Sequence, residues 1–229
     1  CNCVIVGKFN MWKWFSRPTP LQQPIVRYEQ GKRPSRQTAL DDCIFMVVDI
    51  ETTGLDPQRH QMISIGWLLM QKRTLDLGSA HYQVIRVPIG DSGVGQSATI
   101  HGIHNQQLAA GEELSEVLVA FLQAAENAVL VAHHSVIEQQ FLRKACQNCF
   151  GRAPNFRFLD TLKIEGRQLQ RRNITVRQDE FRLPACLKRH QLPMLQEHNA
   201  LEDAFGCALL LQKQIAALGA DAELGDLLT

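Results

Sequence analysis

The sequence predicts an α/β domain in which a mixed five-stranded sheet is flanked by helices. Three observations carry this. The stretch "CIFMVVDI" (43–50) is a nearly continuous apolar run, as expected of a central strand covered on both faces. "QMISIGWLLM" (61–70) and "AHYQVIRV" (80–87) follow across short, turn-like connections, which reads as an antiparallel meander. Beyond them, helical and strand-like apolar spacings alternate, so helices cover a sheet rather than one sheet covering another.

The elements follow in order. Residues 1–40 contain Pro18, Pro20, Pro24 and Pro34 without periodicity and read as a Pro-rich, basic N-terminal arm, extended or linker-like. Within it, "MWKWFSR" interleaves Trp12, Trp14 and Phe15 with Lys13 and Arg17, a mixture suited to a membrane surface, a protein partner, nucleic acid or its own domain. The globular domain spans 41–216. After the three strands, "GEELSEVLVAFLQAAENA" has helical spacing at Leu114, Val117, Leu118, Phe121 and Leu122. "VLVA" (129–132) is a short buried strand, "SVIEQQFLRKAC" (135–146) a helix and "FRFLD" (156–160) a fifth strand. "NALEDAFGCALLLQKQIAAL" is a long helix, and 217–229 reads as a fraying tail. No internal repeat is visible.

At 229 residues, with 45% hydrophobic and 21% charged residues, the chain suits one soluble domain with a substantial core. No apolar run approaches the ~20 residues that span a bilayer. The chain opens on "CNCVIVGKFN" with no secretory pattern, and Met11 is a candidate natural start. Seven scattered cysteines read as reduced thiols in a cytoplasmic protein. Cys146 and Cys149 form one C-x-x-C without a second pair, which favours two helix residues, Cys149 near a buried face, over a zinc site. The net charge of +1 conceals +6 over 1–40 and +8 over 143–189, with −13 in the remainder. Two basic segments around an acidic remainder suit a polyanion held beside an acidic site, or solvated faces that never converge.

Three segments carry candidate chemistry. In "DIETTGLD", Asp49 and Glu51 stand at i and i+2 at a strand end, so period two sends both carboxylates to one face. Two such acids repel unless a cation lies between them, and a hard divalent ion is the natural partner. Thr52, Thr53 and Gly54 then turn the chain, with amides available to a phosphate or a terminal sugar. In "EHNALEDAF", Asn199 caps a helix with Glu202 as its capping-box partner. Asp203 follows one turn inside, and His198, just before the cap, can take a proton from water. "HHSVIEQQFL" brings Glu138 into a first helical turn, where Ser135-x-x-Glu138 also spells a capping box.

These motifs resemble the DEDD superfamily of 3′-to-5′ exonucleases, in the branch whose last motif carries histidine. That branch includes the proofreading subunit of bacterial DNA polymerase III. "DIETTGLD" and "HNALEDA" match closely and in order, while "IHGIH" (100–104) and "FLDTLKI" (158–164) resemble its H-G-I and D-T-L segments. The resemblance covers about 41–216. It implies a ribonuclease H-like fold, two Mg²⁺ or Mn²⁺ ions, Asp49, Glu51 and Asp203 as ligands, and His198 as general base. Thr52, Thr53, Gly54, Leu55 and His101 become candidate substrate contacts; His104, His133 and His134 are weaker ones, His133 reading as structural. The family pattern has Asp where Glu138 stands and Asn where His134 stands. Glu138 then serves as a ligand, direct or through water, as a pure helix cap with activity lost, or in a site of weak or altered activity, for instance one that prefers Mn²⁺. The expected function is hydrolysis of phosphodiester bonds from a single-stranded 3′ end, DNA favoured over RNA. The alternatives are a weakened or inactive nucleic-acid-binding module, or a polymerase-associated subunit docked through the arm.

Overall fold

The computed structural model describes residues 19–87, 102–195 and 199–228. Strands β1 (Ile44–Thr52), β2 (Met62–Gln71), β3 (Thr74–Val84), β4 (Val129–Ala132) and β5 (Phe158–Asp160) form one sheet in the order β3-β2-β1-β4-β5. β1, β2 and β3 are the antiparallel meander, and β4 and β5 add in parallel beyond β1. The helices are α1 (Gln23–Gln30), α2 (Asn105–Ala109), α3 (Leu114–Ala124), α4 (Val136–Phe150), α5 (Thr161–Arg171), α6 (Leu183–Arg189), α7 (Ala200–Ala216) and α8 (Leu224–Leu228).

β1 is apolar on both faces because both are covered. Met46, Val48 and Ile50 pack with Leu118, Phe121 and Leu122 of α3 and Phe141 and Leu142 of α4. Phe45 and Val47 point the other way and pack with Ala204, Ala208 and Leu211 of α7. Successive strand side chains alternate, so Asp49 and Glu51 continue the Phe45–Val47 row and emerge on the α7 face. The hydrophobic alternation of a single strand thereby aims the two acids at the helix that carries Asp203.

The ends of the chain depart from expectation. The second half of the expected arm is folded rather than extended. Pro20–Gln22 make a 3₁₀ turn that leads into α1. Ile25 and Tyr28 of α1 are buried, and the Tyr28 ring lies 5.4 Å from that of Phe156. Pro20 and Pro24 each sit in a first helical turn, where the missing N–H has no partner to lose. Pro20 and Pro24 therefore mark helix starts, not a linker. The expected fraying tail is docked as well. Glu223 bridges Ala39, the Leu224 amide donates to Thr38 O at 2.9 Å, and Leu224 and Leu227 are buried. Residues 1–18 lie outside the described residues.

Cys43, Cys146, Cys149, Cys186 and Cys207 are free thiols. Of the C-x-x-C pair on α4, Cys146 is the core residue and Cys149 is only half-buried. Among the described residues no helix is long and apolar enough to cross a membrane.

Candidate active site

Asp49 and Glu51 leave the sheet at the carboxyl end of β1, opposite Gly66 and Ser64 of β2. The register slips directly after Glu51, where Thr52 falls opposite Met62, a bulge of the kind that re-aims side chains near sites. Asp203 arrives from the first turn of α7. That turn is fixed by the Asn199 side chain, which accepts from the amides of Leu201 (3.0 Å) and Glu202 (3.2 Å). The helix start presses onto the sheet at Gly66. A Cβ there would lie 2.3 Å from Leu201 N and 2.5 Å from Leu201 Cα, so no larger residue fits without movement. The result is a cluster in which carboxylate oxygens of Asp49, Glu51 and Asp203 lie within 4.8 Å of one another.

Glu138 stands near enough to this cluster to act on the Asp49 carboxyl, and another residue takes over the capping of its helix. The expected Ser135–Glu138 capping box does not form. The Ser135 amide and hydroxyl both donate to Asp160 Oδ2, each at 3.2 Å, and the His134 amide donates to Asp160 Oδ1 at 3.0 Å. Asp160 also caps α5 by accepting from Leu162 N at 3.1 Å. Its carboxylate, at the end of β5, thus ties together the starts of two helices. Glu138 is left 4% exposed, with Oε2 buried and without a hydrogen-bond partner. A buried, unpartnered carboxylate oxygen is rare and asks for a ligand.

The electrostatics agree. Burial pushes the Asp49 carboxyl well above the usual range, with Glu138, then Asp203 and Glu51, adding repulsion. Burial raises Glu51 to about 8, helped by Asp203. Burial likewise raises Glu138 to about 8, opposed by its own backbone amide and reinforced by Asp160. Without a cation these acids hold protons they would otherwise lose. Hard carboxylate oxygens, partly dehydrated and mutually repelling, are the donor set that hard divalent cations take, and the unpartnered Glu138 oxygen fits the same purpose.

The turn after β1 is held by its own side chains. Thr52 Oγ1 donates to Gly54 O at 2.8 Å, and Thr53 Oγ1 accepts from the Gln61 amide at 3.1 Å. The Thr53 amide donates to Gln61 O at 3.0 Å, so that amide is not available to a phosphate as expected. Leu55 is 76% exposed at the tip of the turn. His198 and His101 lie outside the described residues. His133 is a strut: its ring nitrogens meet Thr161 Oγ1 (2.9 Å) and Phe181 O (2.7 Å). Burial lowers its pKa.

Sequence reasoning missed two residues that build the site. Gly66 was detectable, since a glycine inside a strand pattern often marks close backbone approach. Asp160 was visible in "FLDTLKI", but its three partners at 134, 135 and 162 depend on where β4 and β5 end.

Comparison with known proteins places the chain. Residues 46–211, which include Asp49, Glu51, Glu138 and Asp203, match the family described as Exonuclease (RNase_T). A PolC-type DNA polymerase III of Thermotoga petrophila is 28% identical over 182 residues, covering 80% of this chain and 12% of that protein. The 3′-5′ exonuclease DinG of Staphylococcus epidermidis is 28% identical over 171 residues, covering 74% of this chain and 18% of that protein. The chain thus spans a small part of the length of these relatives. In fold it is similar to the nuclease domain of 3′hExo, a DEDDh family member bound to rAMP. The TM-score is 0.65 at 19% identity, over 79% of this chain and 94% of that one. The family match spans most of the chain and the fold agrees with it, so the chain belongs to the exonuclease family.

Proposed function

We propose that this chain is a metal-dependent 3′-to-5′ exonuclease that removes nucleotides from the 3′ end of a single strand, DNA in preference to RNA. The observation that carries the reading is the convergence of Asp49, Glu51 and Asp203, with Glu138 near enough to repel the Asp49 charge. Family membership and the 3′-5′ exonuclease activity named for the DinG relative support it. The PolC-type relative supports reading the chain as a nuclease module of the kind that works beside a polymerase.

On this reading Asp49, Glu51 and Asp203 hold one divalent ion, and Glu138 helps hold a second. Mg²⁺ and Mn²⁺ both suit an all-carboxylate set. When bound, the ions supply the positive charge that phosphodiester hydrolysis needs at its attacking and leaving oxygens. The chain's own residues do the rest. His198 takes a proton from the attacking water. The water oxygen bonds to phosphorus as the bond to the 3′ oxygen breaks, and the departing oxygen takes a proton from solvent. The products are a nucleoside 5′-monophosphate and a strand with a new 3′-hydroxyl. The turn from Thr52 to Leu55, with His101, receives the terminal nucleoside. Glu in place of Asp is compatible with this role because Asp160, not Glu138, anchors the helix start.

The test is a time course on 5′-labelled single-stranded DNA and RNA with Mg²⁺ or Mn²⁺, with EDTA and Asp49→Ala as controls and Glu138→Asp alongside. A ladder shortening from the 3′ end, absent in both controls, is expected. A ladder from Glu138→Asp alone would mean the longer side chain has silenced the site. Silence from both, with binding that survives EDTA, would favour a non-catalytic binding module.

A further inference from the structure

The carboxyl ends of β4 and β5 open onto a cavity of about 800 Å³, with His134, Leu162, Arg177, Phe181 and Arg182 in its lining. Crevices outside the carboxyl ends of parallel strands are where open α/β sheets bind ligands. β4 is flanked by β5 on one side and by β1, which carries Asp49 and Glu51, on the other. β1, β4 and β5 run parallel, so the cavity and the acid cluster lie at the same end of the sheet.

The walls of this cavity are held in place. His134 has a left-handed backbone, φ 66°, unusual for a non-glycine residue, and its amide is pinned to Asp160. The opposite wall, Gln178–Phe181 leading into α6, is fastened twice. His133 Nε2 meets Phe181 O, and Arg189 donates to Glu180 O at 2.8 Å. Arg189 and His190 are in turn locked onto Glu165, 1% exposed, at 2.9 and 2.8 Å. Arg177 and Arg182 are exposed on this wall. Arg177 pairs with Asp179 at 3.3 Å, two residues away at the surface, an ion pair that a phosphate can readily replace. Phe181 offers a ring at the same place.

We propose that this cavity is a strand-holding subsite, which takes the phosphates and bases of a single strand on the 5′ side of the bond cut at the acid cluster. The proposal rests on the exonuclease reading above. Its physical motive is charge. The phosphates on the 5′ side of the cut bond carry charge that the acid cluster and its ions do not neutralise, so a cationic hold there favours binding. Arginines beside an aromatic ring are the sequence-tolerant way to provide one.

The test compares the native chain with Arg177→Gln/Arg182→Gln, both exposed positions whose neutral replacements leave the core untouched. Two substrates separate the sites: the p-nitrophenyl ester of thymidine 5′-monophosphate, which reaches only the acid cluster, and a long single-stranded oligonucleotide. The variant should hydrolyse the ester at the native rate while KM for the oligonucleotide rises about tenfold. In Ca²⁺, its oligonucleotide affinity should depend less on salt, the logarithmic slope falling by about 1.4 for two lost single-strand phosphate contacts. His134→Asn, which tolerates the same backbone, should bind the oligonucleotide more weakly without loss of folding. Native KM and native salt slope in the double variant would overturn the proposal. Should the native chain hydrolyse neither substrate, the exonuclease reading fails, and the salt slope alone decides: a fall supports the subsite, no change overturns it.

Discussion

Asp49 and Gly66 face each other across β1 and β2, and the backbone of Leu201 rests where a Gly66 side chain would be. The first turn of α7, and with it Asp203, is therefore positioned by a missing methyl group next to a carboxylate of the cluster. Gly66→Ala should push that turn away from the sheet. Overpacking of this kind destabilises by about 1–3 kcal/mol, and an ångström of misplacement near the chemistry costs about a hundredfold in rate. The expected outcome is a folded protein with a modestly lower Tm and at least a tenfold lower kcat. Native kcat would mean that α7 reaches the cluster without the close approach.

Glu138 sets function against stability. Its buried carboxylate has an unpartnered oxygen and adds repulsion at Asp49. Glu138→Gln keeps the shape and removes the charge. Urea unfolding in EDTA should show the variant as stable as the native chain or more stable, by about 1 kcal/mol, since an uncompensated buried acid is lost. Its nuclease rate with Mn²⁺ should fall about a hundredfold or more, as for loss of a charge-stabilising group. If the variant is instead destabilised in EDTA, Glu138 has a structural partner and the capping role regains weight.

How far the sequence could be read follows from which contacts are local. Asp49 and Glu51 were legible because strand period alone puts them on one face. The Asn199 cap was legible because it acts within one turn. The Ser135–Glu138 box was equally local and yet wrong, because Asp160, twenty-five residues away from Ser135, binds the same groups with a full charge. In the box the Ser135 amide would donate to the Glu138 carboxylate; Asp160 takes that amide instead, and sequence spacing cannot show that it is present. α1 was hidden for a related reason. Prolines at helix starts and in linkers look alike until Ile25 and Tyr28 have a core to enter.

Asp160 accepts from Ser135 twice, from His134 and from Leu162. Hydrogen bonds to a charged group contribute about 1.5–3 kcal/mol each. Asp160→Ala should lose the anchor of both α4 and α5 and lower stability by about 3–5 kcal/mol. Asp160→Asn keeps acceptor oxygen on one side only and should lie between. Activity should fall more than stability predicts, because the released start of α4 carries Glu138. A variant in which stability falls and kcat per folded molecule stays native would separate Asp160 from the site.

The raised acids give the metal-free protein an unusual pH profile. Glu51 and Glu138 move from an ordinary 4.5 up to about 8 in the fold. Between those values the folded state binds more protons than the unfolded state, so stability falls as pH rises. Most carboxylates in folded proteins, held low by partners, act in the opposite sense. In EDTA, Tm should therefore drop steadily from about pH 5 to about pH 8, the two ends of the interval these shifts define. Divalent cations compete with those protons. Millimolar Mg²⁺ or Mn²⁺ should raise Tm most at the alkaline end and release protons on binding, measurable as a buffer-dependent heat in calorimetry. Asp49→Asn should flatten the EDTA profile, because it removes one of the carboxyls whose pKa the fold raises. A Tm in EDTA that is constant over the interval, and unmoved by metal at pH 8, would mean the acids do not share one dehydrated site.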